Sequence, residues 1–226
     1  MKNHDGEALV TALDALIQKH HLLQHPFYQA WTKGTLTRAS LQLYAAQYYK
    51  HVEAFPQHLR RLATRTEGEL RSLIEENLAE EENPRLPHPK LWRDFAASLD
   101  VEGATLDSTQ PLPGTQALVD TFQQISEQGT PTEAVAAFYA YESQVPEIAT
   151  RKIDGLRRFY NITEPRSLAY FAVHEEADVR HRQAWRTWLA QQSGVDTEAV
   201  LHGAERALRA LWGALDAVSP ESYSQN

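Results

Sequence analysis

The sequence contains no cysteine. That excludes disulfides, thiol catalysis and iron–sulfur ligation, and it makes a structural zinc site less expected. Glycine and proline are sparse, 10 and 11 of 226 residues, too few for a loop-rich fold. No apolar run approaches the roughly 20 residues of a membrane span. The opening residues Met1–Asp5 hold no apolar signal core. The expectation is a soluble protein in the cytoplasm, without a membrane partner. Positive charge is also short: 22 Lys and Arg against 30 Asp and Glu give a net charge of −8. A phosphate backbone requires a basic surface, so no nucleic-acid partner is expected.

What is present is ordinary for a globular chain, 42% hydrophobic and 23% charged residues. The length suits one sizeable core, and a single domain over 1–226 is expected, with about 219–226 as a flexible tail. Apolar residues recur with a helical period almost throughout, and the stops are clear. Helices are predicted over about Asp5–His20, from Pro26 to Gly34, from a Thr37 cap onward with a bend or break at Pro56, over Glu67–Glu82, and over Pro89–Leu99. The stretch Val101–Gly114 reads as a connecting loop. Further helices follow over Thr115–Gln128, from the Thr130-Pro131-Thr132-Glu133 capping box to about Tyr160 with a kink near Pro146, over Pro165–Gly194, and over Thr197–Val218. The fold class is all-α, a bundle of seven or eight helices with no convincing strand.

Several helices carry ionisable groups where apolar residues belong. Between Phe171 and the Trp185/Trp188 pair, His174, Asp178 and His181 share one helix face at spacings of four and three. Glu175, Glu176 and Arg180 fall off it, on a solvated face. The line Leu70, Ile74, Leu78 continues to Glu81, while Glu80 and Glu82 point elsewhere. The line Val135, Phe138, Glu142, Val145, Ala149 ends on Lys152. Burying Glu81, Glu142 and Asp178 as anions costs several kcal/mol per charge unless cations offset it. Two divalent ions would do so, with His174, His181 and His88 completing a mixed oxygen and nitrogen set suited to iron or manganese. The direction of His88, between Pro87 and Pro89, cannot be taken from periodicity. Other readings stay open: a buried salt-bridge cluster at 174–181, Glu81 on a frayed helix end, and Lys152 simply neutralising Glu142. Tyr28 and Tyr141 could be packing aromatics. His51 reads as a hydrogen-bonded core histidine, and the remaining histidines receive no role. Paired Glu-x-x-His motifs are absent, so a ferritin-type bundle is not supported.

Four stretches carry a resemblance: His25-Pro26-Phe27-Tyr28-Gln29-Ala30-Trp31, Glu81-Glu82-Asn83, Tyr139-Ala140-Tyr141-Glu142-Ser143-Gln144 and His174-Glu175-Glu176-Ala177-Asp178-Val179-Arg180-His181. With these the chain resembles the CADD family of heme-oxygenase-like di-metal oxidases. The resemblance implies a seven-helix heme-oxygenase-like fold without heme, and Glu81, His88, Glu142, His174, Asp178 and His181 as ligands of two transition-metal ions. The pair could be Fe/Fe, Mn/Fe or Mn/Mn, acting with molecular oxygen and an external reductant. It further implies p-aminobenzoate synthesis for folate, with Tyr28 as the ring donor, Tyr141 assisting and Lys152 supplying the amine. A homodimer is implied, and any redox partner is unidentified. The chlamydial cysteine-containing tail is missing, which leaves death-domain binding unsupported. The alternatives are a multiple-turnover oxygenase acting on a free small molecule, a cofactorless quinone-forming oxidase, and a non-enzymatic interaction module. A thiaminase-like activity would need the absent cysteine.

Overall fold

In the computed structural model, residues 4–219 are described, and the tail expected over about 219–226 lies outside them except for Ser219. Among the described residues there are only helices: α1 (His4–Lys19), α2 (Pro26–Lys33), α3 (Arg38–Ala63), α4 (Gly68–Glu81), α5 (His88–Ser98), α6 (Gly103–Ser108), α7 (Pro113–Gln128), α8 (Pro131–Glu142), α9 (Val145–Phe159), α10 (Pro165–Ala190) and α11 (Thr197–Val218). A 3-10 turn, Leu22–Gln24, precedes α2.

These eleven α-helices exceed the seven or eight expected of the bundle and are two more than the nine helical stretches predicted, because α6 and one break were missed. The stretch read as a loop holds α6, which buries Leu106. The helix expected to kink near Pro146 is cut in two, and Pro146 sits in the first turn of α9. A proline is tolerated there because that backbone position has no intrahelical acceptor to serve. Pro56, by contrast, lies inside an uninterrupted α3. Elsewhere the local chemistry sets the boundaries. The Thr37 hydroxyl accepts from Ser40 N at 3.0 Å to start α3. Thr130 and Glu133 form a reciprocal capping box at the start of α8. Gly34, at φ 68°, closes α2 in a left-handed conformation that disfavours any side chain.

Helix α8 is the centre of the molecule. Every residue from Ala134 to Glu142 is buried, as expected for a helix apolar on all sides. It packs between α10 and α11, while α10 also lies against α5, α9 and α1, and α3 against α4, α5 and α7. Three fully buried indoles fix the inner surfaces through one hydrogen bond each. Trp92 Nε1 donates to the Ala45 carbonyl at 2.8 Å, Trp31 Nε1 to the Lys152 carbonyl at 3.2 Å, and Trp185 Nε1 to Glu142 Oε2 at 2.8 Å. Among the described residues no helix is long and apolar enough to cross a membrane.

Candidate metal centre

The six carboxylates and imidazoles come from α4, α5, α8 and α10. Glu81 is the last residue of α4 and His88 the first of α5. The turn between them is shaped by Asn83, whose side-chain oxygen accepts from Arg85 N at 2.9 Å, and held by the Arg60–Glu82 ion pair. It swings His88 back onto Glu81, so that Nδ1 donates to Oε2 at 2.7 Å. Glu142 is likewise the last residue of α8. Two helix C-termini, each with negative partial charge, therefore end at acidic side chains. That arrangement repels further negative charge and attracts cations.

The six residues fall into two groups, Glu81–His88–His174 and Glu142–Asp178–His181, in each of which one donor atom per residue lies within 4.8 Å of the others, and all six residues are buried. In the first, His174 Nδ1 donates to the Tyr170 carbonyl at 2.6 Å. This fixes the tautomer and leaves the other ring nitrogen as an acceptor. In the second, Glu142 receives Asn77 Nδ2 at 2.9 Å and the Trp185 indole at 2.8 Å. Asp178 Oδ2 and both nitrogens of His181 are buried without a hydrogen-bond partner among the described residues. Asp178 stands 3.5 Å and Glu142 3.8 Å from His181 Nδ1, too long for good hydrogen bonds. Buried polar atoms left without partners are costly. A cation between them would supply what the protein does not, and a donor set of oxygen and nitrogen alone fits iron or manganese.

The electrostatics agree. Burial alone would raise the Glu81 carboxyl, but the charge and hydrogen bond of His88, with His174 and His181 behind it, hold it below the usual range. His174 is pushed down by burial. Burial also opposes charging of His181, yet neighbouring Asp178, Glu142 and Glu80 push it up. Glu142 is itself pushed up, by burial first and by Asp178 next. The second group therefore keeps a proton at neutral pH that a metal would displace.

Beside His174 lies a small cavity of about 20 Å³, room for about one water. Tyr28, Tyr48, Tyr141, Lys152, Tyr170 and His174 are among its walls. Lys152 Nζ donates to the Tyr44 hydroxyl at 2.6 Å and lies 5.0–5.3 Å from the ring centres of Tyr28, Tyr44, Tyr48 and Phe171. No carboxylate pairs with it among the described residues, so it does not neutralise Glu142. Burial lowers its ammonium to about 7. The Tyr28 and Tyr44 hydroxyls are 3.4 Å apart, and those of Tyr48 and Tyr141 are 2.8 Å apart.

A profile of iron-containing redox enzymes matches residues 42–212. The chain belongs to that family. This iron-containing redox enzyme is 40% identical to the 4-aminobenzoate synthase of Chlamydia muridarum over 205 residues, covering 90% of this chain and 87% of the relative. It is also 40% identical to the 4-aminobenzoate synthase of Nitrosomonas europaea, over 95% of this chain and 92% of that one. Among solved structures it superposes on a TenA homologue from Pseudomonas syringae with a TM-score of 0.79 at 17% identity, covering 94% of this chain and 91% of the other. A heme-oxygenase-like protein from Shewanella denitrificans gives 0.77 at 21%, covering 96% and 91%. These likenesses show a heme-oxygenase-like fold.

All nine candidate site residues are buried: Tyr28, Glu81, His88, Tyr141, Glu142, Lys152, His174, Asp178 and His181, His88 among them although its direction could not be read from periodicity. Three details differ from expectation. Glu80 does not point away, because its Oε2 lies 3.4 Å from His181 Nε2 while it also pairs with Arg180. His51 is fully buried, but neither of its ring nitrogens has a hydrogen-bond partner among the described residues, and its ring packs against Tyr141 at 5.0 Å. Tyr141 and Lys152 do not share one continuous helix, yet they line one cavity. The reading missed Asn77, Tyr44 and Tyr170. Asn77 alone had a signal, a polar residue one turn before Glu81 on a buried line.

Proposed function

We propose that this enzyme makes p-aminobenzoate from its own chain, with Tyr28 as the source of the ring and Lys152 as the source of the amine. The observation that carries this reading is one cavity shared by Tyr28, Lys152, Tyr141 and His174. Its relatives named 4-aminobenzoate synthase support the product. The chemistry of the product fits a tyrosine: a para-substituted ring, with a carboxyl carbon in the position of Cβ and an amine in the position of the phenol oxygen.

Glu81, His88 and His174 would hold one metal ion, and Glu142, Asp178 and His181 the other. The metal pair, when bound and reduced, supplies the activation of dioxygen that tyrosine oxidation needs. The remaining work belongs to the protein. Asn77 and Trp185 orient Glu142 by hydrogen bonds, and the Tyr170 carbonyl orients His174. The cavity is too small for bulk water, which protects a reactive tyrosine. Tyr48 shares a proton with Tyr141 across 2.8 Å, so a proton has a neighbouring oxygen to move to when Tyr141 is oxidised. Burial keeps a large fraction of Lys152 uncharged at neutral pH, which gives the amine the lone pair a nucleophile requires. Tyr44, hydrogen-bonded to Lys152 and near the Tyr28 hydroxyl, can pass a proton between them.

A second reading makes Tyr44 the ring donor, because its hydroxyl is the one in direct contact with Lys152. It is less favoured because Tyr28, not Tyr44, lines the cavity that His174 shares. The test is to expose the reduced, metal-loaded protein to oxygen, quantify p-aminobenzoate and map the peptides by mass. Less than one product per chain, with mass lost at Tyr28 and altered at Lys152, is the expected result. Loss at Tyr44 selects the second reading, and many turnovers of an added substrate overturn both.

A further inference from the structure

Tyr139 and Tyr141 are two residues apart on α8 and leave it on nearly opposite sides. Tyr141 faces the cavity described above, whereas Tyr139 faces a separate cleft of about 390 Å³. That cleft is walled by Asp14 of α1, His21, Tyr139, Ser143, Arg182 and Arg186. Its volume is in the range that takes a small organic molecule. None of these residues has a part in the reaction proposed above.

The hydrogen-bonding capacity left over in this wall is mostly that of donors. Asp14, its one carboxylate, is already engaged on both oxygens, by the Tyr139 hydroxyl and by Arg186, at 2.5 Å each. Arg186 also donates to the Tyr139 oxygen at 3.0 Å. Arg182 makes no hydrogen bond or ion pair among the described residues. The Ser143 Oγ, at the break between α8 and α9, is buried and without a partner. His21 uses Nδ1 to accept from Leu23 N at 3.3 Å, and its Nε2 stands 3.9 Å from an exposed Glu147. Two guanidinium groups thus face one neutralised carboxylate, and the unspent groups include the Arg182 guanidinium, the Ser143 hydroxyl and the side-chain amide of Gln18. Such a wall selects an anion, and guanidinium matches the planar fork of a carboxylate.

We propose that this cleft binds a small organic carboxylate, with Arg182 as its anchor, Ser143 as a second donor and the Tyr139 ring as an apolar wall. An inorganic anion would engage Arg182 and leave most of the volume unused. The occupant would sit beside the second metal group without touching it. Ser143 follows Glu142, Arg182 follows His181, and Arg186 follows the Trp185 that holds Glu142.

Isothermal titration and fluorine NMR with 4-fluorobenzoate test the proposal on the full-length protein, with inorganic phosphate as the competing probe. Saturable binding is expected at sub-millimolar concentration. Arg182→Met should weaken it at least tenfold and Arg182→Lys by less, with the thermal transition unchanged because Arg182 has no partner to lose. Ser143→Ala should weaken it several-fold. Absence of binding overturns the proposal. So does displacement by equimolar phosphate, which would mark an unselective anion site. Binding that survives Arg182→Met but is lost in Lys152→Met also overturns it, since the ligand would then occupy the tyrosine cavity.

Discussion

Replacing Lys152 with methionine should stabilise the protein at neutral pH and lose that advantage as the solution becomes alkaline. The amine is 4% exposed and has only the Tyr44 hydroxyl as a hydrogen-bond partner. Burial moves its ammonium from 10.5 down to about 7. At about 1.4 kcal/mol for each tenfold change in proton affinity, the protonated lysine costs the fold roughly 5 kcal/mol below pH 7. Methionine nearly conserves the volume, a change that commonly costs under about 1.5 kcal/mol. Tyr44 keeps Tyr28 as a neighbour at 3.4 Å, so losing the amine adds about 1 kcal/mol. A net gain of about 2–4 kcal/mol remains. The sign with pH follows from linkage. Between about 7 and 10.5 the unfolded chain holds a proton on this amine that the folded chain has released, so wild-type stability rises with pH through that window. Below it both states are protonated and the penalty is constant. Urea unfolding of both metal-free proteins at intervals from about pH 6 to 10 measures the difference. The two profiles should converge above neutrality. Parallel profiles would mean that Lys152 ionises as it does in water, and the argument for a nucleophilic amine would fail with them.

Glu142→Ala and His174→Ala each remove a donor from a different group. Metal content after dialysis, read by mass spectrometry, should fall below two ions per chain in both, and full retention would contradict the assignment. Gly155→Ala should destabilise by about 1–3 kcal/mol, because the new Cβ would lie 2.6 Å from Trp31 Cδ1 and disturb the helix that carries Lys152. An unchanged thermal midpoint would refute that. Thr130→Ala should cost about 1 kcal/mol through the lost capping box, while leaving metal content unaltered.

Much of this architecture is legible in the residue pattern, for reasons that can be named. Helix α11 was bounded at both ends because Asp196 caps it, accepting from Ala199 N at 3.1 Å, and its apolar stripe ends at Val218. The inward acids could be found because Glu81, Glu142 and Asp178 interrupt apolar lines, and a period is visible without coordinates. His88 could not be oriented in that way. Its direction depends on the 82–87 turn, where the Asn83 contact to Arg85 N is local but the Arg60 contact to Glu82 comes from another helix. Glu80 was misjudged because a periodic line has no width, and a long carboxylate beside the line still reaches His181. Tyr44 was passed over as one aromatic among several on α3. Only the fold brings Lys152 against it, across 108 residues of chain.

Crystals grown with iron or manganese, measured at the corresponding absorption edge, test the central claim most directly. Two anomalous peaks are expected, one among Glu81, His88 and His174 and one among Glu142, Asp178 and His181. A map with no peak at either group, or with peaks only at surface carboxylates, would contradict the account.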